Sequence, residues 1–432
     1  MKTNMLIRRL PFMLLLCLSL QGFSQPTDER VAYLKANASV VKNIDPDNED
    51  YSDLDPLKGA LKDKIVVGLG EQTHYDGQTF KAKTRLVKFL HQKLGYSVLA
   101  FESGFYDCYK AWQQIQEGKP AIEAARKSIY PFWVSEETEE LFRYIDRQKN
   151  TEHPLVIAGI DCKFSSAYSR ENLLPDFEAY LQKSGSTALQ DTAEWGKFKA
   201  ALKNAIAYSD YLNKLSEADT LALHNTLNRV LVELDDQAEV QRAPVQENFF
   251  WRQFCRSTLT EARKKFTKVQ VRDVQMGENL VFLQRELYKD RKVIVWAASS
   301  HLTYNGTNIE REFYQNNLRL GDHIRQAYGE AYYNIGFTGY RGKIGKLLFF
   351  HLINVKKHKE GSIEYALGQT GYPFLFLDLN RPDLPKWLQE PLVARPFGYR
   401  EMRMRIPQVM DGLFYTREIF ERKPVPRPEN NL

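Results

Sequence analysis

Residues 66–80 read VVGLGEQTHYDGQTF, an apolar run that ends on Glu71 with His74 three residues further on. Other apolar runs close in the same manner. VLAFES reaches Glu102, LVIAGID ends on Asp161, and VIVWAASS leads directly to His301. A carboxylate at the end of a buried run is costly unless a partner meets it, so these run ends imply one shared polar pocket. An imidazole beside carboxylates suits general-base work at neutral pH, because the carboxylate fixes which ring nitrogen carries the proton. His74 is therefore the candidate base, able to activate a water for attack on an ester carbonyl, with Glu71, Glu102 and His301 beside it. The competing reading of His74 is a turn residue that caps the next helix, and Asp161 reads as a packing or hydrogen-bonding residue.

Sharper catalytic motifs are absent from the sequence. No G-x-S-x-G occurs, so Ser103 and Ser299 lack a nucleophile elbow. No H-E-x-x-H occurs, and a single E-x-x-H does not indicate a di-metal bundle. The GLGEQT segment begins like a dinucleotide loop but carries Thr73 at the third glycine position. Neither cofactor nor metal is expected on these grounds. His91, His224, His323, His351 and His358 fall in helical or loop stretches and read as structural. Among the aromatic residues, Phe132, Trp133, Trp296 and Tyr304 lie close to the run ends, and Trp133 and Tyr304 are candidates for the apolar wall of a bulky, uncharged substrate.

The elements that must carry these groups are short, almost wholly apolar runs at 64–70, 97–103, 154–161, 292–300, 332–338 and 373–379. Such runs are strands covered on both faces. Helix-period stretches at 80–94 and 136–148 alternate with them. The expected fold is α/β, a central, largely parallel sheet flanked by helices. In open sheets of that kind ligands bind beyond the carboxyl ends of the strands, where Glu71, Glu102, Asp161 and His301 stand. The α/β unit is expected in two parts, 25–164 and 286–422. The charged, strand-poor stretch 165–285 between them reads as a helical insertion forming a lid over the strand-end cleft. Residues 27–60 read as an Asp-rich loop leading into a short helix, and the Pro-rich tail 423–432 as disordered.

Residues 1–24 place Lys2, Arg8 and Arg9 before the apolar core FMLLLCLSL and small residues before Gln25. This is the pattern of a secretory signal peptide, and the leucines ahead of Cys17 argue against lipidation. Export to a periplasmic or extracellular space is expected. No later run reaches the roughly 18 apolar residues of a membrane span. The formal charge of +6 falls to +3 once the three basic residues of the leader are removed, too weak a balance to indicate nucleic acid or an anionic membrane surface. Cys108, Cys162 and Cys255 remain. Three sparse cysteines are no disulfide framework and read as buried thiols.

The segments GLGEQTHYDGQTF, VLAFESGF, YPFWVSEETEELFRYI, RDVQMGENL, VIVWAASSHL, GDHIRQAYGEAYYNIGFTGYRG and GSIEYAL, in this order and spacing, resemble the erythromycin esterase family over about 51–422. The resemblance implies an α/β sheet with a helical portion and a cleft at the strand ends. It also implies hydrolysis of a macrolide lactone by directly activated water, without a covalent intermediate. It places the general base at His74, supporting carboxylates at Glu71 and Glu102, and the second imidazole of the family's A-H-N-x-H segment at His301. Four positions depart from that pattern. Ala298 replaces the first His of the segment and Ser299 the Asn, Gln78 replaces a Glu, and Lys83 replaces an Arg. Lys83 keeps the charge without the planar fork and stands as a candidate substrate-binding residue. Arg85 lies two positions further along a helix, on a different face.

Two functions follow as expectations. The first is an exported hydrolase of a small-molecule ester or lactone. The second is a catalytically impaired relative that binds a bulky ligand or an envelope glycan without turnover.

Overall fold

The computed structural model describes residues 27–164, 166–207, 215–240, 246–263, 271–345 and 353–425. The leader 1–24 lies outside the described residues.

The apolar runs form strands β1 (Ser39–Val40), β2 (Val66–Glu71), β3 (Tyr96–Gly104), β4 (Val156–Asp161), β5 (Lys292–Ala298), β6 (Tyr332–Ile344), β7 (Ile353–Val355), β8 (Phe374–Asp378) and β11 (Gly412–Ile419). They make one sheet in the order β1-β8-β11-β6-β2-β5-β3-β4, with β7 paired to β6. The pairs β11–β6, β6–β2, β2–β5, β5–β3 and β3–β4 are all parallel. Antiparallel pairing is confined to β1–β8, β8–β11 and β6–β7. The sheet is thus largely parallel and mixed at one end. Short β9 (Leu392–Ala394) and β10 (Met402–Met404) form a separate antiparallel ribbon.

Adjacency in this order decides the site. Because β2, β5, β3 and β4 are consecutive and parallel, their carboxyl ends share one edge, and that edge carries Glu71, Ala298, Glu102 and Asp161. Every residue of β2 is buried. A Cβ on Gly70 would come within 2.9 Å of Ser299, so glycine there lets the turn after β5 approach β2. The register of β3 on β4 shifts between Phe101 and Gly104, an irregularity of the kind that re-aims a side chain, here next to Glu102.

Helix α1 (Gly77–Leu94) starts where Asp76 accepts the N–H of Thr79 at 3.2 Å and ends at Gly95, whose φ of +74° suits a left-handed cap. It is buried on nearly every side, and its three buried cations each meet a carboxylate. Lys83 meets Glu71, Arg85 meets Asp53 at 2.7 Å, and Lys88 meets Glu140 at 2.8 Å. Arg85 therefore faces away from Glu71.

Between β4 and β5 the described chain is helical: α4 (Ala167–Ser184), α5 (Thr192–Ala207), α6 (Glu217–Val240), α7 (Gln246–Arg263) and α8 (Val271–Phe282). Of these, α4 and α7 pack on α2 (Phe105–Gln116), which precedes α3 (Glu139–Gln148). The contact is aromatic, with Phe105 stacked on Phe250 at 5.1 Å and Tyr106 against Trp251 at 5.9 Å. The last of these helices, α8, delivers charged side chains to the strand ends.

Two local expectations are corrected. The polar segment after residue 26 contains a helix, Thr27–Asn37. The start of the tail is ordered onto the body, since the carbonyl of Lys423 accepts the N–H of Glu136 at 2.8 Å and Pro424 bridges to Ser135. The rest of the tail lies outside the described residues. Cys108, Cys162 and Cys255 are buried and in no disulfide, and the Cys162 thiol donates to Glu261 at 3.0 Å. No helix among the described residues is long and apolar enough to cross a membrane.

Candidate active site

Two charged centres sit side by side on the edge formed by β2, β5, β3 and β4. The first surrounds Glu71, which has no exposed surface. Its Oε1 lies 3.1 Å from His74 Nδ1 and accepts the indole N–H of Trp133 at 2.9 Å. Its Oε2 takes the ammonium of Lys83, whose Nζ also stands 4.1 Å above the centre of the Trp296 ring. Burial alone would raise the Glu71 carboxyl, yet Lys83 and His74 hold it below its ordinary value. Burial brings Lys83 down to about 8, a fall that Glu71 limits, so the pair is ionised at neutral pH.

His74 keeps 29% of its side chain exposed. Its ring is stacked on Phe132 at 5.0 Å and 13° and meets the edge of Trp133 at 5.5 Å. Because Nδ1 faces a carboxylate, the tautomer this geometry favours for the neutral ring has the proton on Nδ1 and the lone pair on Nε2.

The second centre surrounds Glu102. Oε2 accepts the backbone N–H of Ala298 at 3.0 Å, while Oε1 lies 2.9 Å from Arg272 Nη2 and 3.2 Å from His301 Nε2. Arg272 reaches in from α8, with Nη2 2.6 Å and Nε 3.1 Å from Asp161. Asp161 also accepts the Tyr130 hydroxyl at 3.1 Å. On the far side of His301, Nδ1 meets Asp273, and Asp273 is held in turn by Arg319 at 2.8 Å.

Burial would push His301 toward its neutral form, but Glu102 and Asp273 outweigh it and raise the imidazole to about 9. Against its burial, His301 and Arg272 hold Glu102 well below the usual carboxylate range. Glu102, Asp161 and Asp273 thus balance Arg272, Arg319 and a protonated His301. An imidazolium that donates both of its N–H groups cannot take a proton, so the two histidines have different chemistry.

The structure brings Glu71, His74, Glu102 and His301 to one edge. It leaves the expected substrate-binding residues buried. Lys83 and Trp133 have no exposed surface and stand behind Glu71 as its partners. Tyr304, only 5% exposed, packs beneath the Arg325 guanidinium at 4.3 Å and beside Tyr332. Phe132 is partly exposed and is the aromatic ring stacked on His74. Arg272, Asp273 and Arg319 carry no role in the sequence reading, although Arg272 and Asp273 open the RDVQMGENL segment. Adjacent opposite charges at the start of this helix were the available signal.

Ser299 donates its hydroxyl to the carbonyl of Gly70 at 2.5 Å, and Ser103 accepts the N–H of Tyr130 at 3.0 Å. Both are buried, and neither hydroxyl is bonded to an imidazole. Among the described residues, no group of three or more His, Cys, Asp or Glu side chains is arranged to hold a metal ion. The Arg272 guanidinium lies among the carboxylates.

The erythromycin esterase family profile matches residues 91–419. The chain is similar to "Putative hydrolase YbfO" of Bacillus subtilis (strain 168), 27% identical over 96% of this chain and 98% of that one. It is also similar to an erythromycin esterase type II of Escherichia coli, 23% identical over 85% of this chain and 92% of that one. In fold it resembles the crystallised erythromycin esterase mutant EreC in its open conformation, with a TM-score of 0.66 and 15% identity over 90% of this chain and 99% of that one. The profile match begins beyond Glu71 and His74, so the roles of that turn rest on its geometry.

Proposed function

The chain belongs to the erythromycin esterase family, and on that premise we propose that it is an exported hydrolase that cleaves an ester or lactone with water activated by His74. The family and its relatives support a hydrolase. The observation that carries the finer reading is the contrast between the two imidazoles. His74 is partly exposed with a free Nε2, whereas His301 is protonated and bonded on both sides.

In this reading Glu71 orients His74 through Nδ1, and a water bonded to Nε2 gives up its proton as its oxygen attacks the carbonyl carbon. Arg272 uses Nε and Nη2 on Asp161 and Glu102. Its Nη1, 3.4 Å from His301 Nε2, retains protons for the oxygen on which negative charge develops. The proton held at His74 then passes to the leaving alkoxide, which restores the neutral ring. The placement of Ser103 and Ser299 away from either imidazole supports direct attack by water over an acyl-enzyme. Residues 1–24 support export.

A panel of simple esters, lactones and macrolides incubated with the mature chain, with mass detection of the gain of one water, tests the reading. Turnover of at least one class is expected. Tight binding without turnover across the panel would replace it with the binding-only function.

A further inference from the structure

The residues that bracket His74 in its turn are tied to a segment more than 300 positions away. Gln72 Nε2 donates to the Tyr399 hydroxyl at 2.5 Å and to Asp76 Oδ2 at 2.7 Å. The Tyr399 hydroxyl donates to the same Asp76 oxygen at 2.7 Å. The carbonyl of Gln72 accepts the N–H of Gly398 at 2.6 Å. Gln72 and Asp76 are both buried, and Asp76 is also the cap of α1 through Thr79. One hydroxyl and one N–H therefore fasten both ends of the turn to the segment 397–400.

That segment is built for the contact. Tyr399 has a φ of +56° beside Gly398 at +62°. The left-handed region is unusual for a bulky side chain and persists only where the surroundings over-determine it. The Tyr399 ring packs with Tyr75 on Ile344, Val355 and Ile419. The hydroxyl passes so close to β6 that a Cβ on Gly339 would stand 3.1 Å from it. A second fastening acts on the backbone, where Gly77 donates to the carbonyl of Phe420 at 2.9 Å and Arg422 to that of Tyr75 at 3.2 Å.

We propose that Tyr399 is a positioning residue for His74: by holding Gln72 and Asp76 together it keeps the imidazole against Glu71 in the tautomer whose Nε2 is free. The inference rests on His74 as the base. It adds a control on that base from a loop that touches no reacting atom. Since Lys83 and Trp133 fix the carboxylate and Tyr399 fixes the turn, the two halves of the His74–Glu71 contact are held by separate parts of the chain.

The test is Tyr399→Phe in the full chain, read by two-bond proton–nitrogen correlation spectra of protein labelled in its imidazole nitrogens, with His74 assigned from a His74→Gln variant. Tyr415→Phe is the control, because Tyr415 is buried and its hydroxyl has no hydrogen-bond partner. Wild type and control should show one His74 tautomer in mildly alkaline buffer. Tyr399→Phe should move both ring nitrogens toward averaged shifts. Hydrolysis of p-nitrophenyl acetate should lose about ten-fold in kcat with KM unchanged, as expected of a misplaced base. If Tyr399→Phe does not fold, Gln72→Met removes the same link and is read in the same manner. His74 signals that coincide in variant, control and wild type would overturn the proposal. Signals that move while turnover of p-nitrophenyl acetate stays at the wild-type level would keep the fastening and refute His74 as the base, so the two failures are distinguishable.

Discussion

Nδ1 of His74 lies 3.1 Å from Oε1 of Glu71, and that carboxylate has no exposed surface. The imidazole is the exposed member of the pair, and the carboxylate is fixed from behind by Trp133 and Lys83. An orienting carboxylate that cannot turn is what a partly exposed base requires, and four consequences follow for measurement.

Lys83 is the counter-ion of a buried carboxylate. Lys83→Met leaves the buried Glu71 charge without its ammonium, and should cost about 3–5 kcal/mol of unfolding free energy in urea. Adding Glu71→Gln to Lys83→Met should recover part of that loss, since the remaining pair is uncharged. A Lys83→Met protein as stable as wild type would remove the ion pair from the account.

The charge on His301 gives stability a pH dependence of known sign. Its folded value of about 9 lies above the ordinary 6.5, so its contribution is complete below about pH 6.5 and is lost as pH rises through 9. The expected span is about 3 kcal/mol. Subtracting the pH profile of His301→Gln from that of wild type isolates it from Lys83, which titrates nearby in the opposite sense. Stability that does not fall over this window relative to the variant would mean that His301 is neutral in the folded protein.

Arg272→Lys keeps the charge but loses the fork that bonds Asp161 and Glu102 while leaving Nη1 free. On any hydrolysed ester it should lower kcat by about 10²-fold, the scale of one lost oxyanion donor. KM should change little. A change confined to KM would make Arg272 a substrate-binding group.

Much of this was legible in the sequence, for physical reasons. Continuous apolar runs mark strands covered on both faces, and each of the six runs is a strand of the sheet. β11 escaped that reading because GLFYTREI ends in charged residues where the strand runs out of cover. The helix Thr27–Asn37 escaped because its apolar residues form only a weak stripe in a polar, Asp-rich segment. The ionisable groups at the strand ends were visible because burial makes them costly. The groups that neutralise them were not, since Arg272 and Asp273 come from α8, and nothing local in a helix shows which distant carboxylate it meets. Lys83 and Trp133 read as substrate-binding residues for the same reason. Their residue types suit a cleft, and only the three-dimensional packing puts them behind Glu71.

The central claim is that His74 takes the proton from the attacking water. The most direct measurement is kcat/KM of His74→Gln beside wild type on an ester the wild type hydrolyses, with unfolding free energy measured on both. The account predicts a fall of about 10²- to 10⁴-fold with stability retained, because His74 is partly exposed. Activity within a few-fold of wild type in a folded His74→Gln protein would contradict it.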